Sequence, residues 1–221
     1  MANESSTSGE GLTQADFQPL EVGILAVVLT GSGGANRVRK KPKVGAGVKG
    51  KIPEHAVLAV LPKPKGWKKA YPYDDGVHVW WYVRGRTNRQ RSSGRFEVIQ
   101  GWTAASENGE SYLGGIGTEK GCLDTMGTQF DTHLGQGLEA YVLASDGLNV
   151  RKEAGQDGKK KGALRTGTVV TVIGDPVCDS KTVWWQVEPL KSKGPSGWVS
   201  EGGFDVERDF LEWYLAPLTL M

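Results

Sequence analysis

The sequence predicts an all-β chain of two small domains in tandem, joined by a Gly-rich linker. Three observations lead to that class. The same order of marks occurs twice: a Val-Arg, a β-rich run closed by Val, a Trp-Trp pair, then Gly-Trp. The first copy reads Val38-Arg39, Val57 to Val60, Trp80-Trp81 and Gly101-Trp102, and the second reads Val150-Arg151, Val169 to Val172, Trp184-Trp185 and Gly197-Trp198. Helical periodicity is almost absent. Short Val-rich and Trp-rich runs are separated by Gly, Pro, Asn and Asp, with 32 glycines in 221 residues, as expected of a chain with many strands and turns.

The copies lie 112 residues apart at the Val-Arg and the β run, 104 at the Trp pair and 96 at Gly-Trp. The first copy therefore holds eight extra residues in each of two connections, which are expected as loops. In chain order, residues 1–21 read as a polar acidic arm. Val22 to Thr30 is an apolar run too short for a typical helix, and Leu138 to Ala144 is its counterpart, so each copy opens with a buried strand. Polar loops at Lys40 to Lys51 and Lys152 to Lys161 precede the two β runs. The domains are expected at 22–113 and 138–215. Residues 114–137 hold seven glycines and no clear period, and are expected as a linker with one strand near Thr128 to Thr132. Residues 216–221 close an apolar, aromatic-rich end that is expected to dock on its own chain or on a partner.

The second copy, with Leu148-Asn149-Val150-Arg151, Gly167-Thr168-Val169-Val170, the Trp184-Trp185 strand and Gly197-Trp198-Val199, resembles the bacterial SH3-like domain, and the first copy resembles it more loosely. The resemblance implies two small β-barrels and no particular ligand. Alternation along the strand places Trp80 and Tyr82 on one face and Trp81 and Val83 on the other, so one set fills a barrel and the other borders its outside. Carried over from the eukaryotic relatives, a peptide groove would use Trp80 with Tyr112 and Trp184 with Phe210. The alternative is that these rings are core or interdomain packing.

Charge is unevenly spread. Residues 1–34 carry four acids and no bases, residues 35–105 carry 16 bases and 4 acids, and residues 106–221 carry 11 bases and 17 acids. Arg37, Arg39, Lys40 and Lys41 with Arg84, Arg86, Arg89, Arg91 and Arg95 make a basic patch in two stretches read as loops. Such a patch suits a protein partner with an acidic surface, including the second half of another copy, or, less well, nucleic acid. The alternative reading is a cell-wall module that binds peptidoglycan peptides or glycans, as many bacterial relatives do.

Enzyme signatures are missing: there is no nucleophile elbow, no phosphate loop and no His-Glu-x-x-His. Cys122 and His133 lie in loose proximity, with Asp124 and Asp131 nearby, but neither a thiol nucleophile nor a metal site is expected, and no cofactor is. Cys122 and Cys178 read as two unrelated thiols, which fits a reducing compartment. No run is long and apolar enough to span a bilayer, and no secretory signal is visible in the first 16 residues. The sequence-level expectation is therefore a non-catalytic interaction or structural subunit, cytoplasmic or assembled in a particle or filament.

Overall fold

The computed structural model describes residues 17–31, 33–179 and 181–219, and contains no helix among them. Most of the acidic arm (1–16) and the last two residues of the apolar tail lie outside the described residues. Strands β1 Leu25–Val28, β2 Ala35–Arg39, β3 Val48–Pro53, β4 Val57–Val60, β5 Tyr73–Asp74, β6 His78–Gln90, β7 Phe96–Glu107, β8 Glu110–Ser111 and β9 Leu113–Gly115 form one antiparallel sheet. A hairpin of β10 Glu119–Leu123 and β11 Gln129–Thr132 follows. The second large sheet contains β12 Glu139–Val142, β13 Leu148–Arg151, β14 Lys160–Leu164, β15 Val169–Val172, β16 Val177–Cys178, β17 Val183–Pro189 and β18 Gly197–Ser200. A second hairpin, β19 Gly202–Asp205 with β20 Phe210–Trp213, precedes β21 Leu215–Pro217, which returns to the second large sheet beside β12.

The two large sheets run in the same order. The first is β3-β2-β7-β6-β4-β1-β9 with β5 beside β6, and the second is β14-β13-β18-β17-β15-β12-β21 with β16 beside β17. Their registers agree as well: Arg39 faces Trp102 and Val83 faces Gly101, as Arg151 faces Trp198 and Val187 faces Gly197. The Gly of each Gly-Trp is required by close approach. A Cβ at Gly101 would lie 2.7 Å from the Arg39 carbonyl, and one at Gly197 would lie 2.5 Å from the Arg151 carbonyl.

Each sheet has its own core. Trp81 and Val83 point into the first with Ala26, Val28, Leu58 and Val60, and Trp185 and Val187 point into the second with Val142, Val170 and Val172. A third core lies between the sheets, where Leu25, Val27, Val57 and Ala59 meet Tyr141, Leu143, Phe210, Trp213 and Ala216. Strand β1 is thus buried on both faces, which is why its sequence is continuously apolar rather than alternating. Polar links cross the same boundary. The Tyr141 hydroxyl donates to the Val57 carbonyl at 2.6 Å, the Trp213 indole to the Gly23 carbonyl at 2.7 Å, and Arg84 to Glu212 at 2.9 Å.

Three sequence expectations change. The stretch Arg84 to Arg95, expected as a loop, mostly lengthens the β6–β7 hairpin. Gly85 lies against Ile52 and Leu58, where a Cβ would come within 2.8 Å of both, and this alternation turns Arg84 and Arg86 away from the first core. The segment 114–137, expected as a linker, holds the β10–β11 hairpin, and its expected strand is Gln129–Thr132. Cys122 and Cys178, expected as unrelated thiols, form a disulfide that ties this hairpin to the second sheet. A separation of 56 residues hid the pairing from sequence reading, because spacing alone does not report proximity.

Candidate functional site

Equivalent grooves open beside the first Trp of each pair. In the first sheet Trp80, Arg39, Ala104 and Tyr112 border one, and in the second Trp184, Arg151, Ser200 and Tyr214 border the other. Both Trp rings are nearly covered, at 1% and 3% exposure, and form floor rather than rim. Each indole N–H is taken by a carboxylate five residues earlier: Trp80 donates to Asp75 at 2.8 Å and Trp184 to Asp179 at 2.7 Å. The other oxygen of Asp75 accepts the Val77 and His78 amides, and that of Asp179 accepts the Lys181 and Thr182 amides, so each carboxylate closes a turn and fixes a ring. Burial pushes the Asp75 carboxyl up, but its several donors outweigh this and hold it at about 2.

The residue named with Trp184 is corrected. Phe210 is 4% exposed and packs in the core between the sheets, while Tyr214 stands beside Trp184 as Tyr112 stands beside Trp80. The shared pair Tyr112-Leu113 and Tyr214-Leu215, just at the start of β9 and β21, was the sequence signal that pointed to it. The grooves differ in chemistry: Asp146, Glu212, Phe204 and Val206 line the second, which holds about 750 Å³.

The nine bases expected as one patch fall in three places. Arg84 and Arg86 belong to the boundary between the sheets, where Arg84 is 6% exposed and also bonds Gln100, and Arg86 donates to the Leu218 carbonyl. Arg89 and Arg91 are exposed at the end of the long hairpin, with Arg95 half-buried beside Ser93. Arg37 is exposed on β2, Lys40 and Lys41 lie in the β2–β3 loop, and Arg39 braces that loop through the Ala46 carbonyl at 2.9 Å, as Arg151 braces its own through Gly158 at 2.7 Å.

A concavity of about 880 Å³ adjoins the first groove. Its walls are the β2–β3 loop (Lys40, Lys41, Lys43) and the connection from β4 to β5 (Lys65, Trp67, Lys69), and its floor is Tyr73 and Trp102. Trp67 leans on Trp102 with ring centres 4.6 Å apart and meets Tyr73 edge-on at 5.5 Å, while the Lys69 ammonium sits 4.6 Å from the Tyr73 ring centre. Topology brings Tyr73 and also Trp102, distant in sequence, to Trp67. His78 stands where this concavity meets the first groove, 3.4 Å from both Asp75 and Glu107. Glu107 in turn accepts the Tyr112 hydroxyl at 2.7 Å, which with burial pushes the phenol up to about 12.

The Cys122 and His133 pair considered for chemistry is not a nucleophile pair, since Cys122 is in the disulfide. His133 is buried against Trp213, its ring nitrogens without hydrogen-bond partners, and burial pushes it down to about 4. Glu201 lies beside it, 1% exposed, accepting from Thr132, the His133 amide and the Trp185 indole. Among the described residues no three His, Cys, Asp or Glu side chains are grouped to hold a metal ion, and no helix is long and apolar enough to cross a membrane.

Residues 146–205 match the family model described as bacterial SH3 domain. Over 60 residues the chain is 35% identical to a protein of Bacillus cereus, "Teichoic acids export ATP-binding protein TagH". That stretch is 27% of this chain and 11% of the relative, so the likeness covers a small part of the curated protein. No solved structure matches the chain.

Proposed function

We propose that the chain is a non-catalytic binding protein of two fused SH3-like modules, and that it holds a cell-wall polymer or peptide in the grooves beside Trp80 and Trp184. The matched segment at 146–205 supports the second module, and the equal strand order and register of the two large sheets support the first as its repeat. The observation that carries the binding reading is the pair of grooves on one framework with different linings. A shared scaffold with divergent walls suits recognition, in which the frame is fixed and the lining selects.

The Cys122–Cys178 disulfide favours work outside a reducing compartment, since such bonds persist in oxidising surroundings. The relative named for teichoic acid export agrees with a wall setting. The expectation of self-association through opposite charges loses one of its basic contacts, because Arg84 already pairs with Glu212 within one chain. An interaction with a protein partner keeps support from the exposed Leu123 and Met126 at the β10–β11 turn, 60% and 77% exposed. Sedimentation with purified cell walls tests the reading: the protein is expected in the pellet without releasing soluble wall fragments. Protein left wholly in the supernatant contradicts wall binding, and released fragments contradict the non-catalytic part.

A further inference from the structure

We propose that the concavity of the first module, between the β2–β3 loop and the connection carrying Trp67, binds a linear anionic glycan. Sugar rings lie on Trp67 and Tyr73, with the buried Trp102 backing Trp67, and phosphate or carboxylate groups meet the surrounding lysines. The inference rests on the reading of the chain as a binding protein and assigns the ligand class of one site.

Charge complementarity comes first. Lys40, Lys41, Lys43, Lys65 and Lys69 line the site against one carboxylate, Asp75, whose oxygens are occupied by the Trp80 indole and two backbone amides. Five long cations around one committed acid favour a ligand that repeats its negative charge along its length. The lysines are exposed and make no salt bridge within 4 Å among the described residues, so no internal acid competes for them.

Ring geometry then selects the neutral part of the ligand. Trp67 is tilted 50° to Trp102 and 78° to Tyr73, so the rings form a corner rather than a parallel slot. A planar base is held best between or upon parallel faces, whereas the C–H face of a puckered sugar packs into a corner of two rings. The corner favours a puckered ring over a stack of bases, and the five lysines favour a charged ligand, which together point to a charged glycan.

Binding of labelled polygalacturonate and of a sugar-phosphate polymer to the full chain tests the proposal, and the two probes separate carboxylate from phosphate as the charge. Dextran, oligo-dT and poly-Glu serve as neutral, nucleic-acid and acidic-peptide comparisons. At least one anionic glycan is expected to bind, about tenfold or more tighter than dextran, oligo-dT or poly-Glu, and to weaken about tenfold as salt rises from about 50 to about 300 mM. Trp67→Ala is expected to cost about tenfold or more through the lost stacking face. The combined Lys40→Gln, Lys41→Gln, Lys43→Gln chain, altered only at exposed positions, is expected to fold normally, bind weakly and lose most of the salt dependence. Leu190→Ala, exposed just past β17 of the second sheet and outside both grooves, is expected to change nothing.

Equal or tighter binding of oligo-dT or poly-Glu overturns the ligand class, and full binding by the triple Lys variant overturns the site. Sedimentation with cell walls but failure on both anionic glycans overturns this assignment while leaving the binding reading intact. Failure on both glycans and on walls overturns both.

Discussion

Asp75 accepts the indole N–H of Trp80 at 2.8 Å, and the same five-residue spacing recurs where Asp179 accepts Trp184 at 2.7 Å. The acid replaces the water that a buried indole loses, and through its second oxygen holds the turn that leads into the strand. Replacing Asp75 by Ala leaves a buried N–H and two amides without their acceptor, and is expected to cost about 1–3 kcal/mol in urea unfolding. Asp179→Ala is expected to behave alike and Asp75→Asn to cost less, since an amide oxygen still accepts.

Arg84 of β6 and Glu212 of β20 pair at side-chain exposures of 8% and 18%. Removing one member leaves the other charged and largely out of water, so Glu212→Ala is expected to destabilise by about 3 kcal/mol. Converting both to Met is expected to cost less than either single Ala change. A double-mutant cycle in denaturant measures the difference, and additive losses would show that the two groups do not act on each other.

The buried His133 and Glu201 make stability depend on pH in opposite senses. The His133 folded value of about 4 lies below the ordinary 6.5, so the unfolded chain binds the extra proton between these values. Its contribution is full above about 6.5 and is lost as pH falls to about 4, amounting to about 3 kcal/mol. Burial raises Glu201 against the pull of its three donors, so its contribution is greatest below the ordinary carboxyl range and is lost as pH rises through its folded value. In a Glu201→Gln chain the histidine is isolated, and thermal melts are expected to show stability falling with pH from about 6.5 to 4. His133→Leu is expected to flatten that slope.

The Cys122–Cys178 bond closes a separation of 56 residues and holds the β10–β11 hairpin on the second sheet. Reduction is expected to cost about 4 kcal/mol at most and to open the hairpin first. Protease cleavage within 123–128 should therefore appear on reduction while the first sheet stays protected from hydrogen exchange. Cleavage that is equally fast in the oxidised chain would contradict the clamp.

The all-β class, both opening strands and the inward Trp81 and Trp185 were legible because alternation and β-branched runs are local signals. What escaped was set by contacts distant in sequence. Arg84 and Arg86 looked like free cations because nothing local announces that they meet Glu212 and Leu218, far along the chain. Phe210 looked like a groove residue because aromatic character alone does not distinguish a groove from a core between sheets. The Asp75–Trp80 and Asp179–Trp184 spacings were visible in the sequence, but their meaning needs the turn that folds the acid back onto the ring. Trp67, Tyr73 and Trp102 converge through topology, and no pattern along the chain lists them together.

Backbone amide spectra of the full chain, recorded with and without solubilised cell-wall fragments, test the central claim most directly. The account predicts shifts concentrated on the groove residues Arg39, Trp80, Tyr112, Arg151, Trp184 and Tyr214, and on the adjoining concavity at Lys40 to Val44, Trp67 and Tyr73. An unchanged spectrum, or shifts confined to Leu123 to Met126 at the β10–β11 turn, would contradict it.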